Sequence, residues 1–183
     1  MKNAFIEIGN FVLSENISLS NISLLENYIS AFNFNENNLA PYLVPPADKP
    51  YGRNLIYQND AIEIIIMNWA KNAFCDIHNH GHSFGLVKII KGVLKNELFD
   101  AQFSLQEEAI YREGDHILVP RGIYHRMGNM YALQNAISLH FYMPPIHNMH
   151  VIDTENKIIC EVSDDCGAWL SEPNKIKVKL NFE

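Results

Sequence analysis

A chain of 183 residues, 48% hydrophobic and 19% charged, is long enough to close one sizeable core and sits within the usual range of a single domain, which we expect to span residues 1–183. Its formal charge is −7, with Lys71, Lys88, Lys91, Lys95, Arg112, Arg121 and Arg126 scattered rather than gathered in a run. That balance excludes nucleic acid and an anionic membrane as main partners, because both reward clustered positive charge, and leaves a small-molecule ligand as the better expectation for a protein acting as a monomer.

At the N-terminus, Glu7 interrupts the apolar stretch between Ile6 and Ile8, so the segment lacks the continuous core of a signal peptide. The longest apolar run, Ile64 to Met67, is far too short to cross a bilayer. The three cysteines, Cys75, Cys160 and Cys166, are odd in number and show no C-x-x-C spacing, as expected of reduced thiols in a cytoplasmic protein.

Residues 1–46 read as a helical prelude. Leu25, Ile29 and Phe32 recur at i, i+4, i+7 behind a candidate capping box of Ser23 and Glu26. Pro41, Pro45 and Pro46 then break helix, since each lacks a donor and restricts its predecessor. From Tyr51 onward, residues 51–183 read as short strands separated by turns, predicted at 54–58, 62–69, 85–91, 94–99, 116–119, 136–142, 157–162 and 175–180. Many close strands with little helix between them predict a mainly β protein, a jelly-roll β-barrel behind a short helical segment. A turn is expected at Ser171-Glu172-Pro173-Asn174.

Within this pattern, His78-Asn79-His80 places two imidazoles on one face if the segment is extended, because side chains alternate with period two. Alone, that spacing fits a hydrogen-bonded core pair as well as a metal site. A third histidine stands in a more constrained setting. Gly114, Pro120, Gly122, His125 and Asn129 match G-(x)5-P-x-G-x-x-H-(x)3-N, the second motif of the cupin family, in which the proline and glycine shape a turn that delivers the histidine into a barrel. His78, His80 and Gly92 fit the first cupin motif, but Gly85 stands where that motif carries glutamate. By ligand type alone, three histidines could hold zinc, iron, copper or nickel.

Further segments resemble the cysteine dioxygenase family, from about Tyr51 to Asp153. Tyr51-Gly52-Arg53-Asn54 is similar to the family's Y-x-R-N, Ser138-Leu139-His140-Phe141-Tyr142 to its S-x-H-x-Y, and Met143-Pro144-Pro145 to an x-P-P turn whose first peptide bond is cis. The resemblance implies an enzyme of the cupin type that oxidises L-cysteine with O2 to cysteine sulfinic acid. It implies Fe(II) held by His78, His80 and His125, and a substrate carboxylate held by Arg53 with help from Tyr51. Tyr142 would work beside the metal, oriented by His140 and Ser138, with Trp69 packed beneath.

Animal members carry a cysteine, crosslinked to the active-site tyrosine, where this chain has Gly85, so an uncrosslinked Tyr142 is expected. A dioxygenase of 3-mercaptopropionate is the nearest rival, although that group typically has glutamine at the place of Arg53. A non-catalytic metal-binding cupin would need neither Arg53 nor the Ser138-His140-Tyr142 series. His82, His116, His147 and His150 lack motif support as ligands.

Overall fold

In the computed structural model, which describes residues 1–182, helices occupy the N-terminal segment and strands the remainder. The helices are α1 (Lys2–Ser14), α2 (Ile22–Ser30) and the single turn α3 (Glu36–Leu39). Twelve strands follow: β1 (Tyr51–Gln58), β2 (Glu63–Trp69), β3 (Ile77–His78), β4 (Phe84–Lys91), β5 (Val93–Phe99), β6 (Leu105–Arg112), β7 (His116–Val119), β8 (Tyr124–Asn129), β9 (Ala136–Met143), β10 (His150–Asp153), β11 (Ile158–Val162) and β12 (Ile176–Asn181).

They form a five-stranded sheet in the order β1-β2-β9-β4-β7 and a seven-stranded sheet in the order β12-β11-β10-β3-β8-β5-β6, with antiparallel pairing throughout. This is the jelly-roll barrel expected from the strand spacing. No helix among the described residues is long and apolar enough to cross a membrane.

Two cores explain the placement of polar residues. One lies between the sheets and includes Ile65, Met67, Trp69, Val87, Met127 and Val151. The other lies between the outer face of the five-stranded sheet and the helices, where Ile64, Ile66, Leu139 and Phe141 meet Phe5, Ile8, Leu25 and Ile29. Strand β9 is therefore buried at all eight positions, apolar toward the helices and, at Ser138, His140 and Tyr142, polar toward the barrel interior. Burying a large apolar side chain contributes roughly 1.5–3 kcal/mol, so the helices stabilise the back of the sheet that carries Ser138, His140 and Tyr142.

Three local expectations are corrected. The Ser23 capping box does not form, because α2 starts at Ile22 behind Asn21 and Ser23 falls inside its first turn. Asn21 instead closes the preceding 3-10 turn, its Oδ1 accepting the Ser18 N–H at 2.7 Å. Phe32 lies beyond the end of α2 but still packs against the outer core. The strands β3, β6, β8 and β10 lie outside the eight predicted ranges; β6, a mostly exposed edge strand rich in Gln and Glu, has no apolar pattern to betray it. At the C-terminal turn, Pro173–Lys175 form one turn of 3-10 helix. The Met143–Pro144 bond is cis.

Candidate metal centre

Strands β3 and β8 bring His78 and His125 directly opposite one another, while His80 arrives from the loop before β4. Only His78 of the H-x-H pair is in a strand, yet all three rings converge. One nitrogen from each lies within 4.8 Å of those of the others, and all three residues are buried. His78 Nδ1 is 3.0 Å from the carbonyl of Asp76, and His125 Nδ1 is 2.8 Å from Asn96 Oδ1. Both oxygens can only accept, so both Nδ1 atoms carry the proton and both Nε2 lone pairs are free.

Burial also keeps the rings neutral. It lowers His78 to about 4, and it drives His80 and His125 well below their ordinary value, helped in those two by the neighbouring histidines. His80 Nε2 lies 3.1 Å from His125 Nε2. Two imidazole nitrogens each roughly 2.1 Å from a shared ion would stand about 3.0–3.4 Å apart, so the His80–His125 spacing and the neutral donor set of all three rings fit a divalent first-row metal.

Facing this cluster from the other sheet is a continuous hydrogen-bonded series. Trp69 Nε1 donates to Ser138 Oγ at 2.8 Å, Ser138 Oγ lies 2.8 Å from His140 Nε2, and His140 Nδ1 lies 2.9 Å from the Tyr142 hydroxyl. The indole can only donate. Full pairing of the buried Ser138 hydroxyl then has it donate to His140 Nε2, which leaves His140 Nδ1–H to donate to the Tyr142 oxygen. The Tyr142 proton is thereby left for the cavity that Tyr142 lines. Burial raises the Tyr142 hydroxyl well above its ordinary value, so it remains a donor. Trp69 thus does more than pack beneath the site; it sets the direction of the series.

Arg53 and Tyr51 line the same cavity from β1. Arg53 forms no ion pair among the described residues, so its guanidinium donors are available to a ligand. The Tyr51 hydroxyl accepts the Ala168 N–H at 2.8 Å, and its ring lies between Trp69 and Trp169. Gly85 faces Tyr142 across β4 and β9, where a Cβ would come within 2.9 Å of Tyr142 Cε1. Cys75 lies elsewhere on the cavity wall, its sulfur accepting the Met127 N–H at 3.3 Å. Of the remaining histidines, His82 is exposed and His147 pairs with Asp164 at 2.8 Å.

Asn96 was not singled out in the sequence. Its signal is a buried amide between Leu94 and Leu98 on a strand, at an inward position where an apolar residue would otherwise be expected.

The geometry can be set beside known proteins. The chain is 31% identical to cysteine dioxygenase type 1 of Bos taurus over 121 residues, covering 60% of each chain. It is also 31% identical to the Homo sapiens protein of the same name over 111 residues, 56% of each. It thus spans about three-fifths of the length of the curated relatives it matches. Among solved structures, a double-stranded β-helix protein of Klebsiella pneumoniae aligns with a TM-score of 0.54 at 13% identity, over 63% of this chain and 95% of that one. A Bacillus halodurans protein aligns at 0.51 and 17%, over 64% and 85%. Both likenesses concern the fold. Residues 5–155 match the family model described as cysteine dioxygenase type I, and the chain belongs to that family.

Proposed function

We propose that the protein is a thiol dioxygenase that oxidises L-cysteine to cysteine sulfinic acid with O2, using Fe(II) held by His78, His80 and His125. The observation that carries this reading is the meeting, in one buried cavity, of three neutral imidazoles, the unpaired Arg53 and the proton-donating end of the Trp69-Ser138-His140-Tyr142 series. When bound, iron(II) would supply thiolate binding and O2 activation, chemistry that protein side chains alone lack.

The chain's own residues do the rest. Arg53 presents a planar fork to the substrate carboxylate, which fixes one end of the molecule. Tyr51, held by Ala168, walls that end. Tyr142 directs its hydroxyl proton into the cavity, where it can stabilise negative charge developing on oxygen. The buried walls, including Met67, Met127 and Met149, exclude water. The reaction balances without a further reductant: both atoms of O2 end on sulfur, which loses four electrons as O2 gains them. Three buried free thiols, Cys75, Cys160 and Cys166, support a reducing, cytoplasmic setting for this enzyme, which we take to be a single-domain monomer.

The test is O2 uptake by the iron(II)-loaded protein with L-cysteine, 3-mercaptopropionate and cysteamine in parallel, with products identified by mass. Preference for cysteine with one sulfinate per O2 is expected. Preference for 3-mercaptopropionate would overturn the substrate assignment, and no uptake with any thiol would overturn the enzymatic one.

A further inference from the structure

Besides the residues used above, the barrel wall carries an acid that the oxidation does not require. Glu63 opens β2 and is only 3% exposed. Along this strand Glu63, Ile65, Met67 and Trp69 share one face, and the last three line the cavity, whereas Ile64 and Ile66 enter the outer core. Glu63 stands directly opposite Tyr142 in the pairing of β2 with β9. Its Oε1 accepts the backbone N–H of Ile146 at 3.2 Å, and Ile146 also lines the cavity.

Among the described residues Glu63 has no ion-pair partner. The charged groups acting on it are Arg53 and His147, which favour its ionised form, and Asp164, which opposes it; burial raises its carboxyl above the ordinary value. A buried carboxylate is costly, and a single backbone donor offsets little of that cost. For the fold alone, a glutamine would serve better, since its amide oxygen could accept the same N–H without a charge to desolvate.

Asp164 does line the cavity, but its charge is met from the solvent side. Its side chain is 45% exposed and is engaged by His147 at 2.8 Å and Lys177 at 3.1 Å. Water and these partners screen its charge. Glu63 sits just behind the cavity wall, in register with Tyr142 and bonded to Ile146, so it is a buried anion next to the cavity that the half-buried Arg53 lines, with no ion pair between the two. A thiol with a carboxylate alone would satisfy Arg53 and meet uncompensated repulsion from Glu63. A zwitterionic amino-acid thiol brings an ammonium or amine dipole that offsets it.

We propose that Glu63 is a specificity-determining residue that selects zwitterionic amino-acid thiols against thiols bearing only a carboxylate. The assignment rests on the thiol-dioxygenase reading and names the substrate class of the same site. It also separates two roles: Arg53 demands a carboxylate, and Glu63 penalises a carboxylate that comes without a positive end.

The experiment is anaerobic calorimetry on the iron(II)-loaded protein, wild type and Glu63→Gln, titrated with L-cysteine and with 3-mercaptopropionate. The glutamine variant keeps an acceptor for Ile146 N–H, and its thermal midpoint verifies folding. We expect wild type to favour L-cysteine, and Glu63→Gln to narrow the preference by about tenfold, chiefly by tightening 3-mercaptopropionate, the scale of one Coulomb interaction between partly buried charges. Glu63→Asp should restore part of the preference. A change in the ratio below about twofold, or equal weakening of both thiols as a structural role would give, would overturn the assignment alone. Wild type that binds neither thiol would overturn the thiol-dioxygenase reading, and this assignment with it.

Discussion

Replacing Asn96 by Leu removes the acceptor of the His125 Nδ1 proton while keeping nearly the same volume. Asn96 is 4% exposed and His125 1% exposed, so water cannot readily take over the 2.8 Å hydrogen bond. Two effects follow. The unpaired buried N–H costs the folded state about 1–3 kcal/mol. The ring also loses the partner that fixes its tautomer and aims Nε2 inward, a change that typically weakens metal binding by about 10–100-fold, or about 1.4–2.8 kcal/mol. Chelator competition with a divalent metal measures the second effect, and urea unfolding of the metal-free protein measures the first. Metal affinity within about twofold of wild type, in a variant destabilised as expected, would refute the claim that Asn96 orients His125 for a metal. Asn96→Asp gives the opposite control, since it restores an acceptor and should recover most of the affinity.

Arg53→Gln should weaken both carboxylate-bearing thiols by about 10–100-fold in kcat/KM, the range of a lost charge-assisted fork, and leave cysteamine within about twofold, as parallel kinetics would show. Gly85→Ala places a Cβ 2.9 Å from Tyr142 Cε1; the ring must move, so turnover should fall while stability drops by about 1–3 kcal/mol, read by kinetics and urea unfolding. Burial lowers His140 from 6.5 to about 3, so between those pH values the unfolded chain binds a proton that the folded one refuses, and stability falls as pH falls. From this residue alone the loss between pH 7 and pH 5 is about 2 kcal/mol, and His140→Gln should flatten the pH dependence of the unfolding midpoint by that amount.

Most of the barrel was legible because its strands are long, apolar and bounded by turns: β2, β4, β7 and β9 fall within a residue of their predicted limits. What escaped was set by partners distant in sequence. Strand β3 is two residues long and exists because His78 pairs with His125 on one side and Val151 on the other. Strand β6 is polar on most positions and is held by pairing with β5. The same limit applied to the site. The histidines and the alternating Ser138, His140 and Tyr142 could be read from spacing, but the support given by Asn96 and the donor role of Trp69 depend on contacts spanning 29 and 69 residues, which no local pattern encodes.

The helices also bear on the chemistry, although none reaches the cavity. A strand with a solvated back could carry Ser138, His140 and Tyr142, but water behind the sheet would screen and loosen the series. Here Leu139 and Phe141 are fully buried against the helices, so the strand is dry on both faces and Ser138 and His140 are almost completely enclosed. In that low-dielectric setting an unpaired polar atom is expensive, which forces each group to find a partner and fixes the direction of every proton. Trp69, Ser138 and His140 each satisfy the next group in turn, and the series runs out at Tyr142, whose oxygen is occupied and whose proton is not. The one donor left over by this closed arithmetic faces the three imidazoles. The apolar packing of residues 1–46 therefore contributes to the site by making a protonated, inward-aimed Tyr142 the lowest-energy arrangement of the strand behind it.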